Sequence, residues 1–211
     1  MTGMNGMNGM KNSQLNISNL NPIVRDNLEA WLKYGTMFFI YRIFTYFFFD
    51  GMKTPFFQRQ QLLLVIFILI GFSIYYTVIN PFIPVNFRHP VIRNIGNDTL
   101  MFGTVLITTH ILETFMNKGS YFNKDWFKNA FFVLVAFASY RVVVDPFIPR
   151  ANMNPKTVSI INDVAQFGVF LIVYRFLEQK SIIDQKWILS VLFVLLGFTG
   201  YHVITERLIK I

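Results

Sequence analysis

Apolar residues run along this chain in long blocks, not in the alternating or one-sided patterns of a soluble domain. Six windows, Trp31–Phe49, Leu62–Ile79, Thr99–Phe115, Phe127–Val144, Val164–Leu177 and Trp187–Thr205, are apolar on nearly every face. Most approach the roughly 20 residues that cross a ~30 Å hydrocarbon core at 1.5 Å per residue. His110, Glu113 and Arg175 fall within or near the ends of the third and fifth windows and loosen their boundaries. The pattern predicts an all-α integral membrane protein of six transmembrane helices.

The blocks repeat. "VINPFIPVN" (Val78–Asn86) returns as "VVDPFIPRA" (Val143–Ala151), and residues 71–113 align with 136–178 at a constant offset of 65. A third copy appears in "NPIVRDNLEAWLKYG" (Asn21–Gly35), "HPVIRNIGNDTLMFG" (His89–Gly103) and "NPKTVSIINDVAQFG" (Asn154–Gly168), each with Pro thirteen residues before Gly. The even segments align through "GFSIYYTVI", "AFASYRVVV" and "GFTGYHVIT". The unit is therefore Pro, odd helix, loop, even helix, used three times, and repeats of this size read as supersecondary units stacked on one another. The chain divides into a polar tail (1–21) and two-helix repeats over 22–84, 85–149 and 150–211. Each unit crosses the membrane twice, so the simplest closed arrangement is three parallel hairpins about a pseudo-threefold axis along the membrane normal.

Pro81 and Pro84, like Pro146 and Pro149, lack an N–H and disfavour helix in the preceding residue. The two PFIP motifs are expected to end the second and fourth helices, with Phe82–Ile83 and Phe147–Ile148 as apolar elbows at the membrane interface. The chain's last copy reads "ERLIKI", where no further hairpin has to be joined.

Polar residues recur by repeat position. Arg42, His110 and Arg175 align on the odd helices, each followed three residues later by Thr45, Glu113 or Glu178. On the even helices Tyr76, Arg141 and His202 align, followed four residues later by Asn80, Asp145 and Glu206. Spacings of three and four put both partners on one helix face. An ionisable side chain in a spanning segment costs about 2.5–3.5 kcal/mol at the bilayer centre, which makes such positions candidate functional sites. Arg42, His110 and Arg175 would then form a cationic ring for an anion, with the even-helix set as a gate at the opposite end. The competing expectation is structural pairing near the helix ends, the long side chains reaching the headgroups.

Composition narrows the chemistry. The 211 residues are 54% hydrophobic and 14% charged, with a mean hydropathy of +0.45. With no cysteine there is no disulfide, thiolate nucleophile, Cys-ligated metal or palmitoyl anchor. No Walker loop, HExxH or GxSxG occurs. His202 with Glu206 is at most half a metal site. No cofactor, metal or enzymatic activity is expected. Met1–Asn19 is low-complexity and polar, without the apolar core of a signal peptide. Trp31, Trp126 and Trp187 stand at segment starts, where an aromatic belt places them. Gly71, Gly103, Gly168, Gly197 and Gly200 are expected at close helix approaches.

The net charge of +8 is shared between faces. Nine Lys and Arg lie on the side of the termini and seven on the other, so the positive-inside rule barely orients the chain. The charge suits anionic lipid or acidic protein partners, and no basic module is present for nucleic acid.

Two functional expectations follow. The first is a structural or assembly role, a compact membrane plug within a larger protein assembly, with a homo-oligomer as one form. Richness in Phe, Ile, Asn and Lys suits an AT-rich genome, and in a large DNA virus the role becomes that of a virion membrane protein beneath a capsid. The second is a small-solute or anion transporter or channel along the pseudo-threefold axis. Mitochondrial carriers share the count of three two-helix repeats, but their Pro-x-acid-x-x-base signature is missing from "FFFDGMK", "TFMNKGS" and "RFLEQKS".

Overall fold

The computed structural model describes residues 15–16, 20–83, 90–117, 123–151 and 153–210. Six long helices carry the fold: α1 (Pro22–Phe48), α2 (Arg59–Ile74), α3 (Pro90–Asn117), α4 (Lys124–Ser139), α5 (Pro155–Leu177) and α6 (Gln185–Gly200). The repeated Asn-Pro pair starts helices for a local reason. Asn21 and Asn154 accept hydrogen bonds from the N–H groups of Ile23 and Lys156, while Pro22 and Pro155 occupy the first helical position, where a missing donor is harmless. Asn123 and Asp184 cap α4 and α6 in the same way, through the N–H groups of Trp126 and Trp187.

The even helices do not end where their α-helical hydrogen bonding ends. Each runs on through a wider π-helical turn, Tyr75–Ile79, Tyr140–Val144 and Tyr201–Thr205. In α2 and α4 a 3-10 turn follows, Asn80–Phe82 and Asp145–Phe147. Pro81 and Pro146 therefore lie inside the last tight turn, and the chain turns extended at Ile83 and Ile148 (ψ 118° in both), before the second proline of each motif. Pro84 lies outside the described residues. The third π turn has no proline after it, so proline does not cause the widening. Phe82 and Phe147 are each 81% exposed, which suits an interfacial elbow.

Five helices are long and apolar enough to cross a membrane: Arg59–Phe82, Pro90–Met116, Lys124–Phe147, Pro155–Leu177 and Gln185–Thr205. The sixth helix, α1, is not among them. That helix has 27 residues, ample length, but Lys33, Arg42 and several weakly apolar Tyr and Trp side chains dilute its hydropathy. The outward-facing side chains of the bundle are largely apolar, as a lipid-facing surface requires. The one extended pairing among the described residues is a parallel contact of Leu15–Asn16 with Ile209–Lys210, which brings the tail beside the last turn.

Neighbouring helices contact one another in chain order, and α6 packs on α1 to close the ring. The most extensive contacts are α1 with α6, α2 with α3 and α4 with α5, so α2 and α4 each grip the helix that follows them more than the one before. Small residues make two of these approaches possible. A Cβ on Gly71 would sit 2.8 Å from the Val105 Cα, and one on Gly197 would sit 2.7 Å from the Met37 carbonyl oxygen. Ala136 holds the corresponding place in α4 and is fully buried. Gly103, by contrast, faces open space and Gly168 meets only Leu195 at 4.0 Å, so these two do not serve close approach.

The centre is aromatic. Tyr34 stacks on Phe72 (centroids 4.1 Å apart), Phe102 on Phe137 (3.6 Å) and Phe167 on Phe198 (4.1 Å). Phe167 meets Tyr34 and Phe102 edge-on at 6.2 Å. Phe72, Phe137 and Phe198 are at most 3% exposed. These rings fill the middle third of the bundle, about 18 Å along the odd helices from their starts.

Candidate functional site

Above the aromatic centre, toward the starts of the odd helices, the bundle opens into a polar cavity of about 410 Å³. Helical periodicity builds its walls. Asp26, Glu29, Ala30 and Lys33 line one face of α1, and Ser159, Asn162, Asp163 and Gln166 line the same face of α5. Asp98 and Met101 come from α3, Tyr76 and Arg141 from the even helices. Side-chain exposure falls from 32% at Asp26 to 9% at Asp98 and Asp163, so the cavity opens toward the helix starts and narrows inward. Its floor is the aromatic centre, since Tyr34, Phe102 and Phe167 follow Lys33, Met101 and Gln166 by one residue.

The deep carboxylates are fully engaged. Arg141 donates from Nε to Asp98 Oδ2 at 2.6 Å and from Nη2 to Oδ1 at 3.2 Å, and Gln166 adds a third bond at 3.2 Å. Lys33 Nζ reaches across from α1 to Asp163 at 2.6 Å, and His202 Nε2 lies 2.8 Å from the other Asp163 oxygen. His202 Nδ1 is 2.9 Å from Glu206. Both imidazole nitrogens are thus occupied by carboxylates, which leaves this histidine no lone pair for a metal. Burying such pairs is tolerable because partner and hydrogen bonds come together; removing one partner would strand a charge.

Glu29 stands apart. Among the described residues nothing donates a hydrogen bond to its carboxylate or pairs with it, and burial pushes its carboxyl above the usual range despite Lys33 one turn away. The cavity carries four carboxylates (Asp26, Glu29, Asp98, Asp163) against two cations (Lys33, Arg141), a formal balance of 2 − 4 = −2.

The residues expected to form a cationic ring lie at the other end of the bundle, each tied to its own hairpin. Arg42, 2% exposed, donates to the Phe56 carbonyl, to the Pro55 carbonyl at 3.0 Å and to Asp50 at 2.6 Å. Arg175 donates to the Ser181 carbonyl at 3.0 Å, lies 3.5 Å from Asp184 and covers the Trp187 ring. His110 stacks on Trp126 at 4.8 Å. The two arginines direct their donors into hairpin loops, which are within reach because both sit near a helix end. Arg42 and Asp50 form a loop clamp, and the Arg42 guanidinium and Thr54 hydroxyl hold the Asp50 carboxyl below the usual range.

The expected i, i+3 and i, i+4 pairs are present in part. Arg42 reaches Thr45 at 3.4 Å, Arg141 reaches Asp145 at 3.4 Å, and His202 reaches Glu206. Asp145 is also bound by Arg150 and by the Tyr140 hydroxyl. Arg175 and Glu178 instead take separate partners, Glu178 pairing with Lys180 at 3.1 Å. Glu113 lines a second cavity of about 310 Å³ between α2 and α3, with Gln60 and Gln61.

Reasoning from spacing within one helix missed the stronger partners, Asp98 and Asp163 on neighbouring helices. A signal was available in the aligned positions. Arg141 and His202 occur in the units whose odd helix carries Asp98 or Asp163, while the unit with Tyr76 has Ala30 at that place. The chain matches no protein-family model, no curated protein and no solved structure.

Proposed function

We propose that the chain is a multi-pass membrane protein with a structural role, a six-helix plug that seals its own axis and serves as a component of a larger assembly. The observation that carries this reading is the aromatic centre. Six rings in three stacked pairs form a buried cluster beneath the polar cavity, which supports a packed centre, and aromatic pairs of this geometry each add about 0.5–1.5 kcal/mol beyond simple burial.

The reading includes three tandem two-helix repeats around a pseudo-threefold axis. Its support is the recurrence of equivalent detail in each unit: an odd–even aromatic stack, a π turn opening on tyrosine, and, in two units, an odd-helix carboxylate bound by the facing even-helix cation. Placement in a virion membrane rests on composition alone.

The test is the native mass of the protein extracted in mild detergent from its source membrane, with ion flux measured on the purified chain in liposomes. Co-migration with larger, unrelated proteins together with tight liposomes supports the structural role. A particle of one to a few copies that conducts or exchanges solute overturns it. The second reading, a small-solute carrier, is favoured by one observation, the polar cavity lying on the axis and open toward one side.

A further inference from the structure

We propose that the axial cavity is a binding site for a small organic cation, an ammonium or guanidinium group held by Glu29. The volume of about 410 Å³ falls within the range of small-molecule pockets. The deep carboxylates are neutralised in place, Asp98 by Arg141 and Gln166, Asp163 by Lys33 and His202. Glu29 is a cavity carboxylate left without a donor among the described residues, nearly one helix turn below Asp26, which Arg25 holds. A cation entering from the mouth meets Asp26 first and Glu29 next.

Two further features fit this ligand chemistry. Tyr34 and Tyr76 supply aromatic walls, the surfaces on which ammonium and guanidinium groups rest by cation–π attraction. The Tyr201 hydroxyl, in a residue 2% exposed, has no hydrogen-bond partner among the described residues. Its counterpart in the preceding unit, Tyr140, bonds Asn162 at 3.1 Å, the residue aligned with Glu29. An anion has no comparable place, because Lys33 and Arg141 both face carboxylates already. The inference stands apart from the structural role, since a ligand can bind above a sealed centre without crossing it.

The test titrates agmatine, with an ammonium at one end and a guanidinium at the other, into the full chain in phosphatidylcholine nanodiscs, read by calorimetry and thermal unfolding. Saturable binding is expected, with no response to glutarate. Glu29→Gln should weaken agmatine binding by about ten- to a hundredfold, the worth of one charged hydrogen bond, while unfolding no earlier than the native chain. Ser159→Phe, which fills the cavity without touching a charge, should abolish binding. Competition by phosphatidylethanolamine added to the nanodiscs would identify the ammonium as a lipid headgroup; its absence would leave a free amine. Failure of the native chain to bind agmatine, equal binding by Glu29→Gln, or binding of glutarate instead would each overturn the proposal.

Discussion

Phe102→Ala tests the aromatic centre most directly. In a soluble core, Phe→Ala costs about 3–5 kcal/mol, much of it transfer of the ring out of water. Here that part drops out, because helices separated in lipid still surround the ring with hydrocarbon and no hydrophobic force drives them together. What remains is packing. Phe102 stacks on Phe137 at 3.6 Å with an interplanar angle of 6°, and meets Phe72 and Phe167 edge-on at 6.4 and 6.2 Å. Three ring pairs at about 0.5–1.5 kcal/mol each give roughly 1.5–4.5 kcal/mol. The assay is reversible unfolding in detergent by added sodium dodecyl sulfate, with Phe115→Ala as control because Phe115 is 74% exposed. Phe102→Leu should recover the smaller part, since it refills space but restores no ring pair. Liposomes bearing Phe102→Ala should also leak small ions through the void opened beneath the polar cavity. Equal destabilisation by Phe102→Ala and Phe115→Ala would refute the argument that these rings, and not general apolar packing, hold the bundle together.

Three further outcomes are expected. Gly71→Ala and Gly197→Ala each drive a Cβ into backbone of the facing helix and should cost about 1–3 kcal/mol by overpacking, whereas Gly103→Ala, facing open space, should be neutral or stabilising in the same assay. The two perturbed carboxyls outside the spans should act oppositely with pH. The folded value for Asp50 is lowered by Arg42 and Thr54, so its contribution is present above the ordinary range near 3.8 and is lost as pH falls through the lowered value; Asp50→Asn should erase that acid-side loss in thermal unfolding. The value for Glu29 is raised by burial against the opposing pull of Lys33 and Arg25, with Asp26 and Glu206 adding to the rise, so its ionised form destabilises as pH climbs through it; Glu29→Gln should stabilise at pH 7 and have no effect below the ordinary range near 4.5. Ala30→Asp and Tyr76→His should each destabilise alone by stranding a polar group, and together should recover about 1 kcal/mol or more of coupling, measured by a double-mutant cycle, if the first unit can accept the third unit's pair.

How far the sequence reaches depends on how local the cause is. Helix starts were legible because Asn21–Pro22 and Asn154–Pro155 carry the cap and the first helical residue side by side. The two PFIP ends were legible because proline acts on its immediate neighbour, although the turn to extended chain falls at Ile83 and Ile148, two residues later than the first proline suggests. The π turns were not legible, since Tyr201–Thr205 widens with no proline to mark it. The apolar run of α1 is legible too, but Lys33 and Arg42 within it keep its mean hydropathy below that of the other five. The site was least legible. Spacing along one helix finds Arg141–Asp145, but Arg141–Asp98 joins residues 43 apart and depends on which helices become neighbours. Arg42 likewise spends its donors on Pro55 and Phe56, backbone groups that no side-chain pattern reveals.

These placements share one logic. Asp98 and Asp163 are the ninth residues of α3 and α5, about 12 Å from the helix starts, and Arg42 is about 9 Å from the end of α1. Arg42 and its partners therefore lie near one end of the bundle, and the pairs at Asp98 and Asp163 lie between the aromatic centre and the cavity mouth. The aromatic rings sit directly beneath these pairs, with Lys33 one residue before Tyr34 and held by Asp163, so a charge near the bilayer centre is met by a partner of opposite sign. A consequence for function follows. Any solute crossing through the centre of the bundle would have to part Tyr34 from Phe72, Phe102 from Phe137 or Phe167 from Phe198, and would pass rings whose one polar group is the Tyr34 hydroxyl. Transport through this axis and a permanently packed centre exclude each other. Amide hydrogen exchange at Phe102, Phe137 and Phe167 divides the two: uniformly slow exchange, unaltered by solutes, belongs to a plug, and solute-dependent opening on the millisecond to second scale belongs to a carrier.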